Sequence, residues 1–248
     1  MYVRPMGMPY YRFLSRLHES TLLDWYLEIG CRAGLSFAPV AGKTIAVDPF
    51  FRAEINIINR KPQLHVFQAT SDDFFASGFL ERNGIRISAA FLDGMHLFEF
   101  LLRDFMNTEA QSNPDGVIML HDCVPFSFEM TTRDLESLPR GAWTGDVWKL
   151  IPILQTWRPD LKLEVLDCRP TGLVCVSNLN PESRVLRDSY DGIVAEYSAL
   201  NIAAFGVERF FASFEYTSAK ALVREGLPLF QPVRLDAGQM LQPRKVTP

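Results

Sequence analysis

The sequence lacks the features that mark a secreted, metal-stapled or membrane-spanning chain. Its four cysteines include no C-x-x-C pair, which argues against a disulfide scaffold or a structural zinc site and favours reduced thiols. Pro5 and Pro9 interrupt the N-terminus before an apolar signal segment can form. No apolar run approaches the ~20 residues that a membrane helix needs. A cytoplasmic protein with no membrane partner is expected.

An excess of positive charge is also missing. The chain has 25 basic and 29 acidic residues, for a net charge of −4, and non-specific nucleic-acid binding needs a basic face. No nucleic-acid partner is therefore expected. Hydrophobic residues make up 48% of the 248 residues and charged residues 22%, which excludes intrinsic disorder and leaves ample material for a core.

Short apolar runs alternate with helix-like stretches along the chain. The spacing predicts strands at 25–30, 44–49, 64–70, 87–94, 116–123, 161–168 and 172–178. Five strand-plus-helix units in a row predict an α/β fold with a doubly wound, mostly parallel sheet and helices on both faces. The last two runs are too close for a crossover helix, so they must form an antiparallel hairpin.

The same pattern predicts three segments. Residues 1–23 form a helical cover, 24–180 form the sheet domain, and 181–248 form a helical extension that ends in an irregular tail. The Phe-rich segment 203–214, with Phe210, Phe211 and Phe214, is a candidate surface for a homodimer.

Polar residues follow each of the first five predicted strands, at the edge where doubly wound sheets bind ligands. The first turn has two glycines, Gly30 and Gly34, in the pattern E-x-G-x-x-x-G. It lacks the further glycines of a dinucleotide-binding G-x-G-x-x-G loop. Glu28 would repel a phosphate but suits an ammonium group, and Asp48 can accept both hydroxyls of a ribose. S-adenosylmethionine has a ribose, a cationic amino-acid part and no phosphate.

The motifs YLEIGCRAG, IAVDP, FLDGMHLFEFLLRDF and PDGVIMLHD occur in this order. On them, residues 24–178 resemble class I S-adenosylmethionine-dependent methyltransferases, and most of all bacterial small-molecule and sugar O-methyltransferases with D-G-x-H-x-(Y/F)-E after the fourth strand. The resemblance implies seven strands in the order 3-2-1-4-5-7-6 and O-methylation of a sugar or small-molecule hydroxyl. It implies a cofactor site formed by Glu28, Gly30, Gly34, Asp48, Ser71, Asp72 and Asp93.

The chemistry of proton removal is left open between two mechanisms. Asp93, His96, His121 and Asp122 follow two neighbouring strands, and His96 or His121 can act as a general base with Asp93 beside it. Alternatively, Asp93, His121 and Asp122 hold a divalent ion, Mg²⁺ or Mn²⁺, that activates the acceptor hydroxyl. Some relatives have two acids after the fifth strand, and the histidine here is less suited to Mg²⁺, which favours the base.

Two other classes of function remain as alternatives. A nicotinamide-dependent oxidoreductase is disfavoured by the missing glycines, and a non-catalytic cofactor-binding or interaction protein would bind the cofactor without turnover. On the helix after the fourth strand, Glu99 and Arg103 are expected to form a surface ion pair, and Asp104 to be solvated.

Overall fold

The apolar runs form one sheet in a computed structural model, which describes residues 1–236. The strands are β1 (Trp25–Ile29), β2 (Lys43–Val47), β3 (Leu64–Phe67), β4 (Ile87–Leu92), β5 (Ser112–His121), β6 (Lys162–Leu166), β7 (Leu173–Ser177) and β8 (Tyr216–Thr217). Their order is β3-β2-β1-β4-β5-β7-β6-β8. The first five strands pair in parallel, and β7 is antiparallel to both β5 and β6. The predicted order of seven strands is confirmed, and β8 adds a short eighth strand beside β6.

Helices cover both faces of this sheet. They are α1 (Tyr10–Ser20), α2 (Ser71–Ala76), α3 (Phe79–Arg82), α4 (Phe98–Ala110), α5 (Leu150–Trp157), α6 (Val185–Asp188), α7 (Tyr190–Tyr197), α8 (Ile202–Phe205), α9 (Val207–Ala212) and α10 (Ala219–Arg224). Short 3₁₀ helices span Glu129–Thr131, Val147–Lys149 and Pro228–Val233. None of the helices in residues 1–236 has the length and apolar character needed to cross a bilayer.

The central strands are buried on both faces, and each face has its own core. On β1, Leu27 and Ile29 pack in a core with α2 to α9, whereas Tyr26 packs in a second core on the opposite face. This alternation follows from the two-residue period of a strand. It explains why the strands are apolar along their whole length, as strands buried on two faces are.

The prediction of a helix after each of the first two strands is wrong. Residues 30–42 and 48–63 form turns. The sequence gives the reason: Gly34, Pro39 and Gly42 interrupt the first connection, and Pro49 and Pro62 bound the second, so neither can hold a long helix. The sheet face beneath these connections needs another cover.

The chain termini supply that cover. Phe13, Leu14 and Leu17 of α1 pack in the second core together with Leu222 of α10 and Phe230. Phe230 lies in the 3₁₀ helix Pro228–Val233, so the tail expected to be irregular is ordered up to this point. Residues 237–248, the rest of that tail, lie outside the described residues.

The Phe-rich segment 203–214 packs within the chain instead of presenting three free anchors. Phe210 is fully buried against Trp148, with ring centroids 5.5 Å apart, and Phe211 and Phe214 are partly buried around it. The expected dimer surface is therefore wrong in this respect: its central anchor is part of the protein's own core. The division of the chain at 23/24 and 180/181 stays a prediction.

Candidate active site

The first turn of the sheet is in direct contact with the end of the fourth strand. Gly30 follows β1 with φ +86°, and its N–H donates to the carbonyl oxygen of Val47 at 3.0 Å. A Cβ on Gly30 would lie 1.9 Å from the carbonyl oxygen of Asp93. Only glycine fits this contact and this conformation. Gly34, the second glycine of the motif, is buried under the side chain of Ile57.

Glu28 is fully buried and its carboxyl oxygens already have donors. Tyr26 Oη donates to Oε2 at 2.9 Å, and Ser36 Oγ donates to Oε1 at 2.5 Å. Burial raises the pKa of Glu28 to about 8, although both hydroxyls favour its ionised form. Glu28 therefore fixes the turn from beneath, and its contact with a ligand stays a prediction.

Asp48 holds the backbone of the turns that follow β1 and β2. Its Oδ2 accepts the N–H of Arg32 at 2.7 Å, and its Oδ1 accepts the N–H of Phe50 at 2.6 Å. Arg32 has φ +37°, in the left-handed region of the backbone map that favours glycine, and its side chain is exposed. Asp48 is 7% exposed, so this carboxylate lies at the strand edge where a ribose contact was predicted.

The turn after β1 does not begin a helix, and this limits what it can bind. The N–H of Gly34 donates to the carbonyl oxygen of Cys31 at 2.7 Å, and the N–H groups of Gly30 and Arg32 are also engaged within the chain. A pyrophosphate site needs free N–H groups at a helix N-terminus. The turn after β1 offers no helix N-terminus, and these three N–H groups are already occupied.

Asp72 lies at the start of α2, but its carboxylate is occupied. Arg103 donates to both oxygens, at 2.9 and 2.7 Å, and Ser71 begins the same helix. The expected pair between Glu99 and Arg103 is wrong: Glu99 pairs with Arg133 at 2.6 Å, because α4 directs Arg103 towards α2.

The expectation that Asp104 is solvated is also wrong. The residue is 2% exposed and its Oδ1 has no hydrogen-bond partner among the described residues. Burial, the largest effect, raises the pKa of Asp104 to about 7. Asp104 lies on the buried side of α4 because α2 covers this part of the helix.

Two acids and two histidines meet at the ends of β4 and β5. His121 Nδ1 lies 3.0 Å from Asp93 Oδ1 and 3.4 Å from Asp122 Oδ1. His96 Nε2 lies 3.4 Å from Asp93 Oδ1 and 3.4 Å from Asp122 Oδ2. The four residues predicted to converge therefore form one cluster, called here the acid–histidine cluster.

Charge pairing within this cluster outweighs burial. Burial opposes ionisation of Asp93, but His121 and His96 together lower its pKa. Burial also opposes the imidazolium form of His121, yet Asp122 and Asp93 raise its pKa well above the ordinary value, and the same balance raises the pKa of His96. The neighbouring carboxylates therefore favour the imidazolium form of both histidines.

The two histidines have different positions. His121 is 6% exposed and its Nε2 is buried with no partner in residues 1–236. His96 is 22% exposed at its side chain, and its Nδ1 lies 3.0 Å from the carbonyl oxygen of Trp143. Because a carbonyl can only accept, Nδ1 carries the proton and Nε2 faces Asp93 and Asp122 with its lone pair when the ring is neutral.

This geometry defines a set of ligand atoms for a divalent ion. One oxygen each from Asp93 and Asp122 and one nitrogen of His96 lie within 4.8 Å of one another. Two carboxylates and an imidazole suit a divalent transition metal such as Mn²⁺. The set differs from the predicted one in its histidine, because His121 directs Nδ1 at both carboxylates from the buried side.

A loop after β5 fixes the position of His96. Gly145 packs so closely that a Cβ would lie 1.6 Å from the carbonyl oxygen of His96. The N–H of Asp146 donates to that oxygen at 3.2 Å. The Asp146 carboxylate in turn accepts from Arg133 and Lys149, each at 2.6 Å. The charged residues of this loop therefore support the position of His96.

Three contacts of the cluster have no signal in the sequence. The Tyr10 ring lies 4.0 Å from the His121 ring, and Thr171 Oγ1 donates to Asp122 Oδ1 at 2.5 Å. The third is the Trp143 carbonyl described above. These residues come from α1, from the turn between β6 and β7 and from the loop after β5, and no spacing rule joins segments so far apart in the chain.

No family model and no curated protein matches the chain. Solved structures do match it. Cofactor-bound Rv0187 from MTB is 16% identical with a TM-score of 0.50, over 69% of this chain and 80% of that one. The O-methyltransferase from Bacillus cereus in complex with SAH is 15% identical (TM-score 0.49, 67% and 79%). The O-methyltransferase TomG from Streptomyces achromogenes, involved in tomaymycin synthesis and in complex with SAM, is 18% identical (TM-score 0.47, 69% and 78%).

Strand order then gives the class. The parallel sheet closed by the antiparallel strand β7, in the order 3-2-1-4-5-7-6, is the fold of class I S-adenosylmethionine-dependent methyltransferases. At these identities the likeness to the solved structures is one of fold, and function has to be argued from the site.

Proposed function

We propose that this chain is an S-adenosylmethionine-dependent methyltransferase that methylates a hydroxyl of a sugar or another small molecule. One observation carries the proposal: Gly30, in the turn expected to hold the cofactor, is in van der Waals contact with the backbone of Asp93, in the acid–histidine cluster. A methyl donor and an acceptor hydroxyl must react in line and in contact. A cofactor half-site and an acceptor half-site that touch at Gly30 and Asp93 would bring the two reactants into contact.

The cofactor half-site comprises the turn after β1, the carboxylate of Asp48 and the start of α2 at Ser71. Asp48 has two roles in the proposal: it holds two backbone N–H groups and it binds the ribose. A carboxylate that accepts two N–H groups still has lone pairs for the ribose hydroxyls. Glu28 acts indirectly by holding Ser36 and the turn in place. Asp72 is assigned a lesser part, since Arg103 engages both of its oxygens.

The acceptor half-site is the acid–histidine cluster. S-adenosylmethionine supplies an activated methyl group on sulfur, so the protein has to position the acceptor and remove its proton. His96 Nε2 takes that proton, and Asp93 and Asp122, each 3.4 Å away, stabilise the resulting imidazolium. His121 positions Asp93 from the buried side. In the alternative mechanism, Asp93, His96 and Asp122 would hold a divalent ion, which would lower the pKa of a bound hydroxyl.

The nicotinamide alternative is disfavoured by the local backbone. A dinucleotide fold directs a helix N-terminus at the pyrophosphate, whereas residues 31–40 form turns and contain no helix. The non-catalytic alternative is disfavoured by the cluster itself, because acids and histidines with shifted pKa values at one sheet edge are typical of catalytic sites.

Calorimetry tests the proposal on the full chain with S-adenosylhomocysteine and, separately, NADH. Saturable binding of the first and not the second is expected. Methyl transfer is then read by mass spectrometry with isotopically labelled S-adenosylmethionine and a panel of glycans and phenols. Binding of NADH in place of S-adenosylhomocysteine would make the chain an oxidoreductase. Binding of S-adenosylhomocysteine without turnover on any acceptor would favour the non-catalytic alternative.

A further inference from the structure

A cavity of about 500 Å³ opens beside the acid–histidine cluster. Its walls come from the N-terminal segment 4–11, from Phe126 in the loop after β5, and from Arg169 and Pro170 in the turn between β6 and β7. The turn lies at the same sheet edge as the ends of β4 and β5, because β7 is antiparallel to β5. A cavity of this size holds a small organic molecule.

Backbone hydrogen bonds fix these walls to one another. The N–H of Gly7 donates to the carbonyl oxygen of Asp167 at 2.7 Å, and the N–H of Arg169 donates to that of Met8 at 3.0 Å. The N–H of Tyr10 completes the series by donating to the carbonyl oxygen of Arg169 at 3.0 Å. The N-terminal segment is thus attached to the turn as a further short strand would be.

Tyr10 and the turn connect the cavity to the cluster. The Tyr10 side chain forms part of the cavity wall, and its ring is also 4.0 Å from the ring of His121. Burial raises the pKa of the Tyr10 phenol, and Asp93 and Asp122 raise it further, because they lie near it. Thr171, which follows Pro170 of the wall, donates to Asp122.

The chemistry of the lining is specific. Prolines and aromatic rings make most of it, with Pro5, Pro9 and Phe126 as examples, and its two charged residues, Arg4 and Arg169, are both cationic. Arg4 lies over the Phe126 ring, 4.3 Å from its centroid. Within residues 1–236, neither guanidinium has a carboxylate within 4.0 Å, although the net charge of the chain is −4.

We propose that the methyl acceptor is a planar, largely apolar molecule that carries a carboxylate. Its carboxylate pairs with Arg4 and Arg169, its ring lies against the aromatic and proline walls, and its hydroxyl reaches the acid–histidine cluster. Arginine suits this task because its planar fork matches a carboxylate. The inference rests on the proposed function, whose sugar alternative it disfavours, since a neutral sugar has no charge to pair with the two exposed guanidiniums.

The test compares aryl hydroxy acids with their methyl esters. Hydroxybenzoate, hydroxycinnamate and hydroxynaphthoate extend the ring system in steps, and each ester removes only the charge. Calorimetry is done on the full chain with saturating S-adenosylhomocysteine. At least one acid should bind about tenfold more tightly than its ester, as one charge-assisted hydrogen bond implies.

Variants assign that preference to the two arginines. Arg4→Gln and Arg169→Gln should each weaken binding of the acid about tenfold and leave the ester unchanged. Arg169→Lys should retain much of the preference because it keeps the charge. Arg224→Gln, an exposed arginine outside the cavity, changes the net charge equally and should change neither affinity. Thermal unfolding verifies that each variant is folded.

The outcomes separate this inference from the proposed function. Equal binding of acid and ester, no binding of any acid in the series, or binding of a neutral sugar in their place overturns the acceptor class. S-adenosylhomocysteine binding is measured on the same samples. If it binds and the acids do not, the proposed function stands without the inference. If the acids bind selectively and S-adenosylhomocysteine does not, the cavity keeps its assigned ligand class and the methyltransferase proposal fails.

Discussion

The ring of Tyr10 lies over the imidazole of His121, with centroids 4.0 Å apart and planes tilted by 43°. Tyr10 is the first residue of α1, and His121 is the last residue of β5. Because Tyr10 also lines the cavity, this one residue lies between the cluster and the cavity. The contact also explains why α1 has to pack against this particular sheet face.

Substitution of Tyr10 should separate packing from hydroxyl chemistry. Tyr10→Ala should lower the free energy of unfolding by about 2–3 kcal/mol, because it removes a half-buried ring from the contact with His121. Tyr10→Phe keeps the ring and should lower it by less than about 1 kcal/mol. Urea unfolding monitors both. Equal destabilisation by the two variants would mean that the phenol hydroxyl, and not the ring, supports the cluster.

His96 is predicted to be the base that takes the acceptor proton. His96→Gln should lower kcat by about 10²- to 10⁴-fold, the usual contribution of general acid–base catalysis, with little change in affinity for S-adenosylhomocysteine. Turnover should persist after treatment with a chelator. Loss of turnover on chelation, with recovery on addition of Mg²⁺ or Mn²⁺, would instead assign Asp93, His96 and Asp122 as metal ligands.

Asp48 and Asp72 make a matched pair of carboxylates for the cofactor half-site. Asp48→Asn cannot accept from both Arg32 and Phe50, so the affinity for S-adenosylhomocysteine should fall about 10- to 100-fold. Asp72→Asn disrupts only the pair with Arg103 and should change the affinity less than about threefold, in line with a surface ion pair. Calorimetry with both variants decides. The reverse order of effects would transfer the cofactor contact to Asp72.

Asp104 should make stability depend on pH. Its pKa in the fold is raised to about 7, so the folded chain keeps this proton where the unfolded chain has lost it. Protonated Asp104 therefore makes its full contribution to stability below about pH 4. The free energy of unfolding falls by up to about 4 kcal/mol as the pH rises to about 7. Asp104→Asn should make the free energy of unfolding depend less steeply on pH, as measured by urea unfolding at a series of pH values. The variant should keep some pH dependence, because the pKa of Glu28 is also raised in the fold. An unchanged slope would mean that Asp104 ionises freely in the fold.

The C-terminal segment should be needed for folding. Phe230 is fully buried against the second core, so Phe230→Ala should lower the free energy of unfolding by about 3–5 kcal/mol. Leu138→Ala is the matched control, because Leu138 is 45% exposed and should cost less than about 1 kcal/mol. Truncation after Asn180 should yield aggregated protein, since it uncovers this face of the sheet. A soluble, folded truncated chain would contradict the role assigned to the segment.

Strand positions were predictable because they depend on local patterns, whereas the strand order was implied by the resemblance to methyltransferases. A strand buried on both faces, such as β1, is apolar at consecutive residues, and the gap of three residues between 168 and 172 leaves room only for a hairpin. The prediction of helices after β1 and β2 was wrong because breakers as close as Gly34, Pro39 and Gly42 outweigh the usual alternation. Here the general rule for doubly wound sheets was given more weight than the local residues.

The acid–histidine cluster was also predictable only in part. The sequence alone determined that Asp93, His96, His121 and Asp122 would meet, because the carboxyl ends of adjacent parallel strands share one edge. It did not determine which histidine faces solvent, nor that Tyr10, Trp143 and Thr171 would surround the cluster. Those contacts join residues far apart in the chain, and side-chain packing, which has no period along the sequence, decides them only when the whole chain has folded.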